Sequence, residues 1–297
     1  MIFQPSYLSA TNGKLFSLLR LPETGSVKAI VVLVPPFAEE MNKSRHMFAQ
    51  LSACFAESNM GTLLFDYYGT GESEGHFEEA SFTSYTQDLQ DVVDHVANSQ
   101  LGQQVPIYLV CLRMGALVAL HAWKKLENIR AVAFWNPVIS GKILINQFFR
   151  LRLAANLTSN SGKKDSAQTI KEELSSTGLT EVAGYTLSQS LVDELEQSSL
   201  DKYITDPEFT FPKVAWFEAS SPAKDTLLPV SATAIEKLKQ ASIPVESFCV
   251  EGSQFWSTQE ISVAPLLIAK TVNWFSDQCA DYACNSLSSE KGTRYEQ

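Results

Sequence analysis

Histidine is scarce and confined to one half of the chain. The 297 residues hold only His46, His76, His95 and His121, and none lies beyond position 121. A general base of the imidazole type is therefore excluded from the C-terminal half. Cysteine is also sparse: Cys54, Cys111, Cys249, Cys279 and Cys284 form no CxxC pair. An odd count without ligand spacing speaks against a disulfide framework or a structural metal, and fits reduced thiols in a cytoplasmic protein. Basic charge is in deficit, with 23 Lys and Arg against 33 Asp and Glu and a net charge of −10. Such a balance offers no footprint for nucleic acid and no electrostatic grip on anionic lipid. Long apolar runs are missing as well. Residues 29–34 are too few, and residues 105–120 are broken by Cys111, Arg113 and Gly115, so neither spans a bilayer. The first nine residues have no basic or long apolar stretch, so no signal peptide is expected. No cofactor or metal site is expected either.

What is present is an alternation of strands and helices. Asn12-Gly13 is a two-residue turn between Ile2–Ser9 and Lys14–Arg20. Ile30–Val34 has the β-branched, wholly apolar character of a strand buried on both faces. Met47, Leu51 and Phe55 follow at helical spacing, then a strand at Gly61–Phe65. A helix is predicted over Phe82–Asn98, with Leu89, Val92, Val93 and Val96 inward and Asp88, Asp91 and Asp94 outward. Val105–Val110 reads as a strand feeding a helix at Met114–Leu126, followed by a strand at Arg130–Phe134. This rhythm implies a mostly parallel, doubly wound sheet. It stops at Gly141–Tyr203, a helical and polar stretch with Ser, Asn and Lys gathered at 158–166. It resumes with Val214–Glu218, Val230–Ala241, Val245–Val250 and Ile261–Phe275. The organisation expected is a core of residues 1–140 and 204–280, a cap insertion of 141–203, and a frayed tail of 281–297.

Three loops fall at the C-terminal ends of the strands, where an open α/β sheet places its site. The third, Val110-Cys111-Leu112-Arg113-Met114-Gly115-Ala116, has the form of a nucleophile elbow: strand, one residue on a tight turn, then a small-residue helix. This predicts the α/β-hydrolase fold with a helical cap. Yet Arg113 stands where that elbow carries serine, and a guanidinium stays protonated and cannot attack a carbonyl. Cys111 lies two residues before the apex, inside the strand, where a thiol is inert packing. The histidine would belong on the loop after Val245–Val250, and Gln254 occupies that place. The acid would be Glu218 or Asp225, but neither has an imidazole to orient.

The anion-binding part of such a site survives in the sequence. The Met114 amide opens a helix and the Phe37 amide lies on the loop that supplies the second oxyanion donor. With Arg113 they suit a carboxylate or phosphate, so an anionic ligand, whether acidic sugar, acyl or phosphate, is one expectation. The other is that Arg113 folds onto Glu39 or Glu40 and closes the pocket with an ion pair. Glu39, Glu40, Asn42, Lys43 and Arg45 crowd the same loop, and Gln254 completes the candidate set. A carboxylate of Glu39 or Glu40 acting as base beside Arg113 would give a hydrolase or transferase of unusual design. Ser73 has no base placed for it. Arg150 and Arg152 either face the pocket or lie exposed on the insertion. Phe255 and Trp256 read as packing.

Several stretches together resemble the exosortase A system-associated hydrolase type 2 family. They are residues 36–45 (PFAEEMNKSR), 69–75 (GTGESEG), 112–116 (LRMGA), 148–153 (FFRLRL), 182–185 (VAGY) and 255–261 (FWSTQEI). The resemblance implies an α/β-hydrolase fold in which arginine at the serine position is a family trait. It also implies a link to bacterial exopolysaccharide production, with a protein of that system as partner.

Overall fold

In a computed structural model describing residues 2–158, 166–206, 208–222 and 226–292, the sequence pattern resolves into one eight-stranded sheet with helices on both faces. β1 (Ile2–Ser9) and β2 (Lys14–Leu21) form an antiparallel hairpin, and β2 also pairs antiparallel with β4. β3 (Ala29–Val34), β4 (Met60–Phe65), β5 (Ile107–Leu112), β6 (Ile129–Trp135), β9 (Lys213–Ser220) and β10 (Val245–Glu251) are mutually parallel. The spatial order is β1-β2-β4-β3-β5-β6-β9-β10. The chain therefore leaves β3 toward β4 and then returns to the other side of β3 with β5. That reversal opens a crevice beyond the carboxyl ends of β3 and β5, where the loops of Phe37 and Arg113 begin.

Burial follows from alternation along each strand. On β3, Ile30, Val32 and Val34 join the core on one face with Val92 and Leu117, whereas Val31 and Leu33 join the other with Phe48 and Phe275. The first face is covered by α2 (Phe82–Asn98) and α3 (Gly115–Ala122), and the second by α1 (Glu39–Glu57) and α9 (Pro265–Gly292). Trp135, fully buried on β6, donates from its indole to Thr271 Oγ1 at 2.9 Å and locks α9 to the sheet.

The cap comprises α4 (Gly141–Thr158), α5 (Ala167–Thr177), a hairpin of β7 (Leu179–Val182) and β8 (Tyr185–Ser188), α6 (Gln189–Glu196) and α7 (Leu200–Ile204), before β9 and α8 (Pro229–Gln240) resume the core. It is pinned to the core by named bonds. Thr83 N–H donates to Glu194 at 2.7 Å, and the Tyr185 hydroxyl donates to Glu39 at 3.0 Å. The hairpin was not legible as strands, because four-residue segments carry too little periodicity.

Some expectations are corrected. Asp88 does not face outward: it is wholly buried, accepting from the Tyr68 amide at 2.8 Å and the Asn12 side chain at 3.2 Å. Burial pushes its carboxyl up to about 6. The loops over the top of α2 cover a face that in an isolated helix would be solvated. The strand read as ending at Val110 continues to Leu112, and the helix read to Leu126 ends at Ala122 in a 3-10 turn over Trp123–Lys125. The last helix starts at Pro265 and runs to Gly292. Asp225 and most of the polar cluster at 158–166 lie outside the described residues. Among the described residues, no helix is long and apolar enough to cross a membrane.

Candidate functional site

Arg113 sits at the apex of the turn between β5 and α3 with φ of 52°. A left-handed backbone at a long L-residue costs on the order of 1–2 kcal/mol and persists only where neighbours enforce it. They do so here. The Arg113 N–H donates to Trp135 O at 3.0 Å, and its carbonyl accepts from Ala116 and Val138 at 3.2 and 3.0 Å. Gly115 then allows α3 to approach β3: a Cβ at that position would lie 2.7 Å from Val34 O and 3.1 Å from Pro35 O. This close approach sets the Met114 amide beside the Phe37 loop. The elbow survives in full with a guanidinium at its tip.

The guanidinium is held on three sides. Its Nε donates to Glu40 Oε1 at 3.1 Å, its Nη1 donates to Asn136 O at 3.3 Å, and its Cζ stands 5.5 Å from the Trp256 ring centroid. The expected pairing of Arg113 with a neighbouring acid therefore falls to Glu40. Glu39 instead accepts from Tyr185 and, at 3.1 Å, from Asn42. Burial pushes the Glu40 carboxyl up, against the pull of Arg113, and its second oxygen is buried without a hydrogen-bond partner. Each side chain of the pair keeps about a fifth of its surface exposed, 18% and 21%. The pair borders a cavity, and solvent screens it only in part.

That cavity, about 540 Å³, brings together most of the residues singled out by sequence: Phe37, Glu39, Glu40, Lys43, Arg113 and Gln254 line it, and so does Glu218. Its charged walls hold three carboxylates against two cations. Glu218 is nearly buried, and both its oxygens accept from the Leu228 N–H at 3.1 and 3.2 Å, which caps α8. Gln254 is exposed on the loop after β10. Met114 and Asn42 do not line this cavity. They border a second one of about 280 Å³, on the far side of Phe37, which lines both.

No histidine lines either cavity. Among the described residues, His46 bonds Gln50 and His121 bonds Tyr203, while no serine or cysteine bonds a histidine side chain. Cys111 is wholly buried in β5, and burial pushes its thiol far above the usual range. The Ser73 hydroxyl donates to Asp66 O at 2.6 Å and accepts from Phe16 N–H at 2.9 Å, a turn-fixing role. Arg152 does not reach the pocket, being held by Glu173 and Thr180 within the cap; Arg150 is exposed. Phe255 and Trp256 are buried, as packing requires, although Trp256 also presents its face to Arg113.

Sequence reasoning passed over Asn136. Its φ is 41°, its side chain bonds both the N–H and the carbonyl of Ala219 at 2.9 and 3.2 Å, and its carbonyl meets Arg113. It ties β6 to β9 directly beneath the guanidinium. An Asn-Pro step after a predicted strand was the available signal, since Asn tolerates the left-handed region.

The sequence matches the model of the serine aminopeptidase S33 family over residues 25–208. No curated protein matches it. Among solved structures, Est1E from Butyrivibrio proteoclasticus with ferulic acid bound is 16% identical, with a TM-score of 0.59, over 95% of this chain and 99% of that one. A second structure of Est1E gives 15% and 0.62, over 93% and 99%. A hypothetical protein from Pseudomonas aeruginosa gives 16% and 0.60, over 93% of both chains. Identities this low speak for the fold alone, and all three cover nearly the whole sheet and cap. With the family match spanning more than half of its length, and the sheet and elbow built as above, this chain belongs to the serine aminopeptidase S33 family of the α/β-hydrolase fold.

Proposed function

We propose that the protein binds an anionic ligand in the cavity over the elbow and does not act as a serine hydrolase. The observation that carries this reading is the Arg113 side chain, extended from the strained apex into a 540 Å³ space and paired to a carboxylate whose other oxygen has no partner. A guanidinium offers fork geometry for a carboxylate or phosphate, and the low-polarity surroundings strengthen the contact. The cavity's surplus of carboxylates sets a condition. An anion gains Arg113 only as Glu40 takes up a proton or swings away, and the raised pKa of Glu40 favours the former. The resemblance of the loops to the exosortase A system-associated type 2 proteins supports an acidic sugar, acyl or phosphate-bearing compound of exopolysaccharide production as ligand, a protein of that system as partner, and a cytoplasmic setting.

Calorimetric titration against uronic acids, acyl phosphates and sugar phosphates tests the reading. At least one class should bind the native protein, and Arg113→Ala should weaken it at least about tenfold, the worth of a charge-assisted hydrogen bond. Equal affinity in both proteins, or no binding in any class, defeats it.

The unpartnered Glu40 oxygen also favours a second reading, in which Glu40 is a general base and Arg113 holds substrate charge. Turnover of the bound compound, abolished in Glu40→Gln while binding persists, would select it over simple binding.

A further inference from the structure

The smaller cavity has a chemistry of its own. Its polar wall is rich in donors. Tyr85, on α2, is 1% exposed and lines it, and the Tyr85 hydroxyl is buried with no hydrogen-bond partner. An unmade bond at a buried phenol costs about 1–3 kcal/mol, and burial pushes its pKa far above the usual value, so the group stays protonated and can donate. Arg45 lines the cavity too. One of its terminal nitrogens, Nη2, makes both contacts to Asp66, at 2.9 and 3.0 Å, which leaves Nε and Nη1 outside that pair. Tyr67, by contrast, is committed, its hydroxyl donating to Pro35 O at 3.2 Å while its ring lies 4.6 Å from that of Tyr85. Asn42, Thr70 and Tyr185 add polar groups already bonded within the protein, and Pro36, Met41 and Phe77 supply apolar wall.

We infer that this chamber is a second, separate ligand site that takes a small monocarboxylate, its carboxylate between Tyr85 and Arg45 and its apolar body against Pro36, Met41 and Phe77. The charge balance selects the class. Asp66 already offsets the charge of Arg45, and no second cationic side chain lines the space, so a phosphate dianion would bring in two uncompensated charges. A single negative charge is the smaller burden, and the Tyr85 hydroxyl with the Nε and Nη1 donors of Arg45 can meet it. A volume of about 280 Å³ lies just below the usual range for drug-sized ligands, which limits the body to a short chain or one ring. The assignment is independent of Arg113, which does not line this chamber.

Titration of the full chain with acetate, butyrate, benzoate and inorganic phosphate tests it, together with Tyr85→Phe and Arg113→Ala. In Arg113→Ala, where the larger cavity has lost its guanidinium, benzoate or butyrate should bind and phosphate should bind more weakly, and adding Tyr85→Phe should weaken the carboxylate at least about tenfold. Because the hydroxyl bonds nothing in the protein, Tyr85→Phe should fold and melt no lower than the native chain. A purely structural Tyr85 would leave affinity unmoved. Arg113→Ala should retain carboxylate binding here even if it loses the ligand of the larger cavity. The assignment is overturned by unchanged affinity in Tyr85→Phe, by phosphate binding tighter than every carboxylate in Arg113→Ala, or by no carboxylate binding in Arg113→Ala at millimolar concentration.

Discussion

Replacing Glu40 by glutamine should tighten the binding of an anion at Arg113 by about ten- to a hundredfold at neutral pH, the range expected for a charge-assisted hydrogen bond freed for the ligand. The carboxylate competes for the Nε that it holds at 3.1 Å, and an amide competes far less. The pH dependence follows with a fixed sign. Burial raises the Glu40 pKa in the folded protein, so protonation on lowering the pH releases Arg113, and native affinity should climb as pH falls through that raised value. In Glu40→Gln the slope should vanish. The same group bears on stability: with its folded pKa above its unfolded one, its contribution is complete below the unfolded value and is lost as pH rises through the folded one. Arg113→Ala works in the opposite direction. It leaves Glu40 in a partly buried site without its cation, and since both side chains are about a fifth exposed, the cost should be about 1–2 kcal/mol, well under the 3–5 kcal/mol of a fully buried broken pair. Chemical denaturation and titration of the two single variants and the double variant separate these contributions.

Gly115→Val should be the most damaging single change at the elbow, at roughly 3 kcal/mol, and should lower the melting temperature by roughly 6–12 °C. The first carbon alone meets Val34 O at 2.7 Å and Val34 C at 3.2 Å. These are backbone atoms of a central strand paired on both sides, and they cannot rotate away. Relief requires α3 to withdraw from β3. That movement carries with it Met114, which lines the smaller cavity, and Arg113, which lines the larger. Thermal and urea unfolding measure the first effect, and loss of ligand affinity in both cavities measures the second. A variant of native stability would mean that the close packing of α3 on β3 is not what holds the turn.

The sequence was most legible where a residue's surroundings are set by its own strand or helix. The run from Ala29 to Val34 could be nothing but a doubly buried strand, and the helix of Phe82–Asn98 begins at Ser81, whose hydroxyl caps Ser84 N–H at 3.0 Å. The elbow was visible because its chemistry is local: strand, apex, small residue. Legibility failed where a distant segment decides the outcome. Asp88 looked solvated until the Asn12 and Tyr68 loops covered it. The partner of Arg113 was one of two adjacent acids. Tyr185, from the cap, engages Glu39, and Glu40 is the acid that meets Arg113. A contact between residues 146 positions apart leaves no mark in the local pattern. The small chamber also escaped the sequence, since Tyr85 shows only as one more apolar helix position.

Binding without serine hydrolysis rests on the lack of an activated hydroxyl at this elbow. Intact-mass measurement after exposure to an active-site fluorophosphonate tests that directly. The chain should remain unmodified, because Arg113 offers no nucleophile and no described serine or cysteine bonds a histidine side chain. A stoichiometric adduct on any serine, removed when that serine is changed to alanine, would contradict it.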